Sequence, residues 1–203
     1  MKNKKPHLFG IDILGIGILI DSIYTVKKLV FDEQYITLAD LVAKAALNFD
    51  DAELCGKIKS LDTYYGSDSE ESNRLAAEIS QFISEVIQKY ADVDGVICSP
   101  ALFMFTGDIW QRGNVATLNG RRQGELLSYG VMPCATPHSS SLTSMLMSCA
   151  HIAADRFPNG YPVLVSMSKK DIEREGILPA LINSYFKAGG YHIAINTVNA
   201  EIL

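Results

Sequence analysis

Residues 162–198, PVLVSMSKKDIEREGILPALINSYFKAGGYHIAINTV, constrain the fold more than any other stretch of the chain. PVLVSMS is short, apolar and β-branched. After it Ile177, Leu178, Leu181, Ile182 and Tyr185 recur at helical spacing, Gly189 and Gly190 stop the helix, and YHIAINTV is strand-like again. A strand, a helix and a strand in that order make two parallel strands with a right-handed crossover, because a tight turn cannot join a parallel pair. With Ile193, Ile195 and Val198 among polar positions, the last strand is expected to be buried. Helices leading into apolar parallel strands predict an α/β sheet or barrel.

The first third is expected to be helix-rich. Asp21 or Ser22 would cap a helix carrying Ile23, Val26 and Val30, and Thr37 with Asp40 three positions on resembles a capping box ahead of Leu38, Leu41, Val42 and Ala45. A short helix with Leu54, Ile58 and Leu61 follows. The polar stretch TYYGSDSEESN reads as a surface loop, and Asn73 to Tyr90, with Leu75, Ile79, Phe82, Ile83, Val86 and Ile87, is the clearest amphipathic helix. Pro100, inside VICSPALFMFTGDIW, bars a regular central strand at that position. At the far end Asn199 is a good N-cap, and Ala200 to Leu203 read as a first helical turn. The loop before Asn73 is the only linker candidate, and a boundary there would leave a piece without strands, so residues 1–203 are read as one domain.

A hydrophobic fraction of 48% with 20% charged residues is that of an ordinary soluble globular protein. The net charge of −5 and the lack of a basic cluster beyond Lys2, Lys4, Lys5 and the pair Arg121 and Arg122 exclude a nucleic-acid footprint. The apolar run Ile13 to Ile20 behind a basic head imitates a signal peptide, but it is too short to span a bilayer and no small-residue cleavage site follows. No membrane role is expected. Cys55, Cys98, Cys134 and Cys149 lack a disulfide-framework spacing, which suits free thiols in a reducing cytoplasm.

Candidate chemistry is sparse. The Gly15-Ile-Gly17 pair lacks the third glycine of a dinucleotide loop and shows no strand–turn–helix before it, so close backbone packing is the better account. Cys134 and His138, with Cys149 and His151, do not have the spacing of a zinc site, and as nucleophile and base Cys134 and His138 lack a third member. No metal site and no catalytic residue is assigned. Asn119–Gly120 is a strong turn signal, and Arg121 and Arg122 leave it as two guanidinium forks. They are candidates for tying loops to carboxylates or carbonyls, or for holding an anion.

The arginine turn carries a family resemblance. ATLNGRRQGELLSYG resembles the A-T-P-D-G-R-R-x-G-E-P-L-x-x-G segment of glycyl radical enzymes, the pyruvate formate-lyase and glycerol dehydratase family. DSIYTVKKLVFDE followed by TLADLV, then LTSMLMSCAHI, agree in order, and INSYFKAGGYHIAINTVNAEIL is similar to the family's Y-F-x-x-G-G-x-H-x-x-x-N-V-V-x-x-E-x-L. The likeness runs from about Gly15 to Leu203. Leu118 and Asn119 replace the usual Pro-Asp, Leu127 departs where Pro-Leu is common, and CATPHSSS differs from the family's glycine- and aspartate-bearing loop.

The resemblance implies a partial, open α/β barrel of glycyl radical enzyme type, belonging to anaerobic metabolism in the cytoplasm. It implies a lyase, dehydratase, decarboxylase or formate acetyltransferase, the last a transferase, whose protein glycyl radical is installed by an S-adenosylmethionine iron–sulfur activating enzyme. The family stores that radical in an R-V-x-G-Y loop and relays it through a G-C-x-E cysteine. The 203 residues hold neither motif, so the chain is expected to be a fragment, a split subunit or a degenerate relative, inactive alone and with no cofactor of its own. Its expected partners are the complementary part of the barrel or a second copy, with a small-molecule substrate only in the complete enzyme. Leu102, Phe103, Met104 and Phe105 lie where a family strand approaches substrate, Leu102 and Met104 to one side and Phe103 and Phe105 to the other. The alternative is a stand-alone, non-catalytic binding or assembly protein that reuses the fold.

Overall fold

The computed structural model describes residues 7–91, 96–103, 115–134, 138 and 140–198. Its strands are β1 (His7–Asp12), β2 (Val96–Ala101), β3 (Pro162–Ser168) and β4 (His192–Val198). Its α-helices are α1 (Ile16–Thr25), α2 (Leu38–Ala46), α3 (Ala52–Lys59), α4 (Glu70–Ala91), α5 (Leu142–Ala150), α6 (Lys169–Glu173) and α7 (Ile177–Lys187). The strands form two separate two-stranded parallel sheets, β1 with β2 and β3 with β4. The architecture is α/β with parallel pairing, and the described residues form no closed barrel.

The strand–helix–strand unit is the one its sequence predicts, with Val163 beside Ile193 and Val165 beside Ile195. Gly189, at φ 107°, turns the chain out of α7, and a side chain on Gly190 would run into the Tyr185 ring. The two strands differ in burial. Val163, Val165 and Met167 are core residues, but Ile193 and Ile195 are only partly buried and Tyr191 is 54% exposed. The expectation that the last strand is buried is therefore corrected: no described strand pairs with the far edge of β4.

The N-terminal region departs further from the sequence reading. His7–Asp12 is a strand, and α1 begins at Ile16 with Gly15 as its cap at φ 86°. A strand–turn–helix therefore does surround the Gly-Ile-Gly stretch. Its second glycine has a packing role: a Cβ on Gly17 would sit 2.5 Å from the Met132 carbonyl oxygen and 3.0 Å from Pro133 Cα. Asp21 lies buried in the middle of α1 instead of capping a later helix. A π-helical segment, Val26–Asp32, continues α1, and its wider turn brings residues five apart together, as in the Lys27–Asp32 pair at 2.9 Å and Lys28–Glu33 at 3.8 Å.

Pro100 sits in an edge strand and not a central one, since β2 pairs only with β1 among the described residues. It lies inside β2 opposite Ile11. The Ala101 carbonyl accepts from Ile13 N–H at 2.9 Å, so Ala101 faces β1 and Pro100 faces the other edge, where its own carbonyl accepts from Asn159 N–H at 3.2 Å. A proline is tolerated there because no ladder donor is missed.

Helix capping explains several starts. Thr37 Oγ1 accepts from Asp40 N–H at 3.1 Å, Asp51 Oδ1 from Leu54 N–H at 3.0 Å, and Ser141 Oγ from Ser144 N–H at 3.1 Å. Helix α4 starts at Glu70 behind Ser69, whose Oγ accepts from Ser72 N–H at 3.1 Å, and Phe82 on its apolar stripe is 66% exposed. Tyr65, in the stretch expected to be a surface loop, is completely buried; its phenol donates to the Val131 carbonyl at 2.7 Å.

Two apolar clusters hold the chain together. The larger gathers Ile16 and Ile20 of α1, Leu102, Leu146 of α5, Phe157, Tyr161 and the inner face of β3. The smaller joins Tyr24, Leu29, Leu41, Phe49, Leu54 and Ile58 to Ala116 beside the arginine turn. Leu75 of α4 packs against both. Among the described residues no helix is long and apolar enough to cross a membrane.

Candidate functional site

The ends of β1 and β2 meet the beginnings of β3 and β4, where Leu102 N–H donates to the Gly160 carbonyl at 3.0 Å. A cleft of about 510 Å³ opens at this junction. Phe103, Pro162, Leu164 and Ala194 give it apolar walls, and Asp12, Tyr129, Asn159 and His192 add polar groups. Phe103 meets the Tyr129 ring edge-on, with centroids 5.7 Å apart. An apolar cavity with a few convergent polar groups suits a small polar molecule.

Of the four pocket candidates, Phe103 lines this cleft and Leu102 is fully buried in the larger core. β2 stops at Ala101, so both lie past the strand. Met104 and Phe105 fall outside the described residues. Sequence reasoning did not single out Asp12, Tyr129, Asn159 or His192. His192 is the histidine of the Y-F-x-x-G-G-x-H segment, and that was the available signal. Asp12 and Asn159 had none, because the junction that unites them joins distant parts of the chain.

The arginine turn is a separate construction. Gly120 N–H donates to the Thr117 carbonyl and Thr117 N–H to the Arg121 carbonyl, both at 2.9 Å, with Gly120 at φ 85°. This is a three-residue hairpin loop in which glycine alone takes the left-handed conformation. Arg121 is 1% exposed. Its guanidinium donates to the carbonyls of Val115 and Glu125, both at 2.6 Å, to that of Arg122 at 3.2 Å, and to Thr117 Oγ1 at 3.2 Å. Burial lowers its pKa from the usual guanidinium value. Arg122 is exposed and reaches back across the smaller core, donating to the Phe49 carbonyl at 3.0 Å, while its N–H donates to Glu125 Oε2 at 2.8 Å. Asn119 is buried beside them.

The sulfur and imidazole groups are dispersed. Cys149 is buried in the larger core, where burial pushes its thiol up to about 12, and His151 is exposed at the end of α5. His138 stacks on Tyr64 with ring centroids 4.3 Å apart, and burial, with Lys59 nearby, lowers its pKa. Among the described residues no three His, Cys, Asp or Glu side chains converge on a metal position. Burial also raises the phenols of Tyr65, Tyr161 and Tyr185; Tyr65 and Tyr161 donate to backbone carbonyls, which are no bases for their protons.

The profile of the pyruvate formate lyase-like family matches residues 5–110. The chain belongs to that family. Over 199 residues, 95% of the chain, it is 25% identical to an isethionate sulfite-lyase of Bilophila wadsworthia (strain 3_1_6), of which it covers 24%. It is 24% identical to a trans-4-hydroxy-L-proline dehydratase of Clostridioides difficile, with 94% of the chain and 25% of that protein aligned. The glycerol-bound B12-independent glycerol dehydratase of Clostridium butyricum superposes with a TM-score of 0.87 at 26% identity, over 96% of this chain and 25% of that one. This pyruvate formate lyase-like chain thus spans about a quarter of the length of these relatives. These relatives are glycyl radical enzymes, the group that the arginine turn and the final segment resemble.

The two Gly-Tyr pairs of the chain lie next to its strands. Gly160 supplies the carbonyl that accepts from Leu102 at the sheet junction, and Gly190 packs beneath the Tyr185 ring ahead of β4.

Proposed function

We propose that this chain is a barrel-building portion of a glycyl radical enzyme, a fragment, split subunit or degenerate relative, that works only with the portions carrying the radical glycine and the relay cysteine. The observation that carries the reading is the uncovered state of its parallel strands. Parallel sheets are normally covered on both faces, yet Leu8 and Phe9 of β1 are 71% and 56% exposed and Ile97 of β2 is 51% exposed. A chain aligned with a quarter of its relatives' length has these faces because the strands and helices that would cover them belong to the remaining portion.

In the complete enzyme the junction cleft would hold part of a small polar substrate, with Asp12, Asn159 and His192 orienting its hydroxyl or acid groups. The named relatives favour a dehydration or a carbon–sulfur cleavage over formate acetyl transfer. The work would take place in the cytoplasm of an anaerobic cell. The partner would be the complementary part of the barrel, or a second copy where that part is missing.

The test is anaerobic incubation of the chain with a family activating enzyme and S-adenosylmethionine, followed by electron paramagnetic resonance. We expect no protein radical and no turnover from the chain alone. A stable glycyl-type doublet would overturn the reading. A compact monomer that binds no hydrophobic dye would favour a stand-alone binding or assembly protein instead.

A further inference from the structure

The polar end of the junction cleft is built on a bare position. A Cβ on Gly10 of β1 would lie 3.0 Å from Asn159 Nδ2, so the Asn159 amide sits where a larger residue would put its own side chain. Residues two apart along a strand share a face, which sets Asp12 on the same side of β1 as that amide. Asn159 reaches this place on a fixed backbone: its N–H donates to the Pro100 carbonyl at 3.2 Å, and the following carbonyl, of Gly160, accepts from Leu102 N–H at 3.0 Å. On β3 and β4, Pro162 stands beside His192 and Leu164 beside Ala194, and all four line the cleft from one face of that pair.

The side chains of Asp12, Asn159 and His192 have no hydrogen bond or ion pair to any described residue, and the described lining of the cleft holds no lysine or arginine. A carboxylate only accepts, whereas an amide and an imidazole both donate and accept. A hydroxyl group does both and can serve all three side chains. An ionised acid group only accepts and is repelled by Asp12, and an ammonium only donates, which leaves the N–H groups of Asn159 and His192 unmatched. We propose that Asp12 and Asn159 together read an uncharged hydroxyl group, so that the cleft takes a small neutral alcohol in preference to a hydroxy acid. The proposal rests on the reading of this cleft as part of a substrate site and names the class of molecule that the site selects.

The experiment is a heteronuclear magnetic resonance titration of the full chain with three probes of one skeleton: propylene glycol, lactate and isopropanolamine. Saturable shifts of the Asn159 side-chain amide and of the Gly10 N–H are expected with propylene glycol, and binding of lactate about tenfold weaker. Asp12→Asn should raise lactate to the level of the glycol, a change that a merely structural Asp12 would not produce. Gly10→Ala, whose methyl displaces the Asn159 amide, and Asn159→Ala should each weaken the glycol about tenfold. All three are exposed positions, and if Gly10→Ala fails to fold the other two variants decide the matter. Equal binding of glycol and lactate by the parent chain, tighter binding of isopropanolamine than of the glycol, an Asp12→Asn variant that still rejects lactate, or no saturable shift overturns the inference. A protein radical formed by the chain alone would overturn the barrel-portion reading and leave the measured preference standing, so the two failures are told apart.

Discussion

The backbone N–H of Tyr65 donates to Asp21 Oδ1 at 2.7 Å, joining the middle of α1 to the loop before α4 through a carboxylate that is 4% exposed. Burial is the dominant influence on this carboxyl and pushes its pKa up to about 7, with the Tyr65 bond opposing the shift. The folded chain therefore holds a proton that the unfolded chain has released once the pH exceeds the ordinary aspartate value. Stability from this group is full below about pH 4 and is lost as the pH rises towards 7. Asp21→Asn keeps an acceptor for Tyr65 and removes the titration. Denaturant melts at pH 5 and pH 8 should show the variant gaining a few kcal/mol on the parent protein at the higher pH. Equal gains at both would mean that Asp21 titrates normally.

Arg121→Ala should lower stability by about 3 kcal/mol, because it removes a buried guanidinium and leaves the carbonyls of Val115, Arg122 and Glu125, in a part-buried turn, without their donors. Arg122→Ala, at an exposed position, should cost about 1 kcal/mol. Thermal melts of both check this. Unchanged melts together with lost binding of phosphate or a carboxylate would assign the pair to an anion site.

Two glycines separate packing from propensity. Gly17→Ala should destabilise by about 2 kcal/mol, since the added methyl meets the Met132 carbonyl and Pro133. Gly56→Ala meets nothing within 4 Å inside α3 and should stabilise by about 1 kcal/mol. Urea midpoints of the two variants should move in opposite directions.

The exposed pair Leu8 and Ile97, neighbours across β1 and β2, should drive self-association of the isolated chain. Leu8→Lys is expected to reduce light scattering and hydrophobic dye binding several-fold at micromolar concentration without lowering the melting temperature. Unchanged scattering would place the association surface elsewhere.

What the sequence displayed and what it concealed follow from the range of the forces involved. The unit from Pro162 to Val198 was legible because its strand, helix and glycine stop are local signals. The cap at Thr37 is equally local. β1 was not legible: His7–Asp12 is exposed along most of its length and shows no alternation, and only its pairing with β2 makes it a strand. Asp21 was misread for a similar reason, since a cap residue and a buried acid look alike until Tyr65 is brought beside it. The junction cleft draws on β1, β3, β4 and the loops beside them, and although Phe103, Tyr129, Leu164 and His192 lay in stretches already singled out, nothing local to any of those stretches showed that they meet.

The two sheets also differ in when they can form. β3 meets β4 inside one strand–helix–strand unit, whereas β1 meets β2 only after the whole helical region from α1 to α4 has been drawn into a closed loop. Loop closure charges its entropy to the more distant pair, so the β3–β4 unit can assemble early and β1–β2 must wait for the helices to settle. A strand that joins last, with both faces wet, is also the first to leave. The edge best placed to receive a neighbouring chain is thus the one whose pairing spans the longest loop.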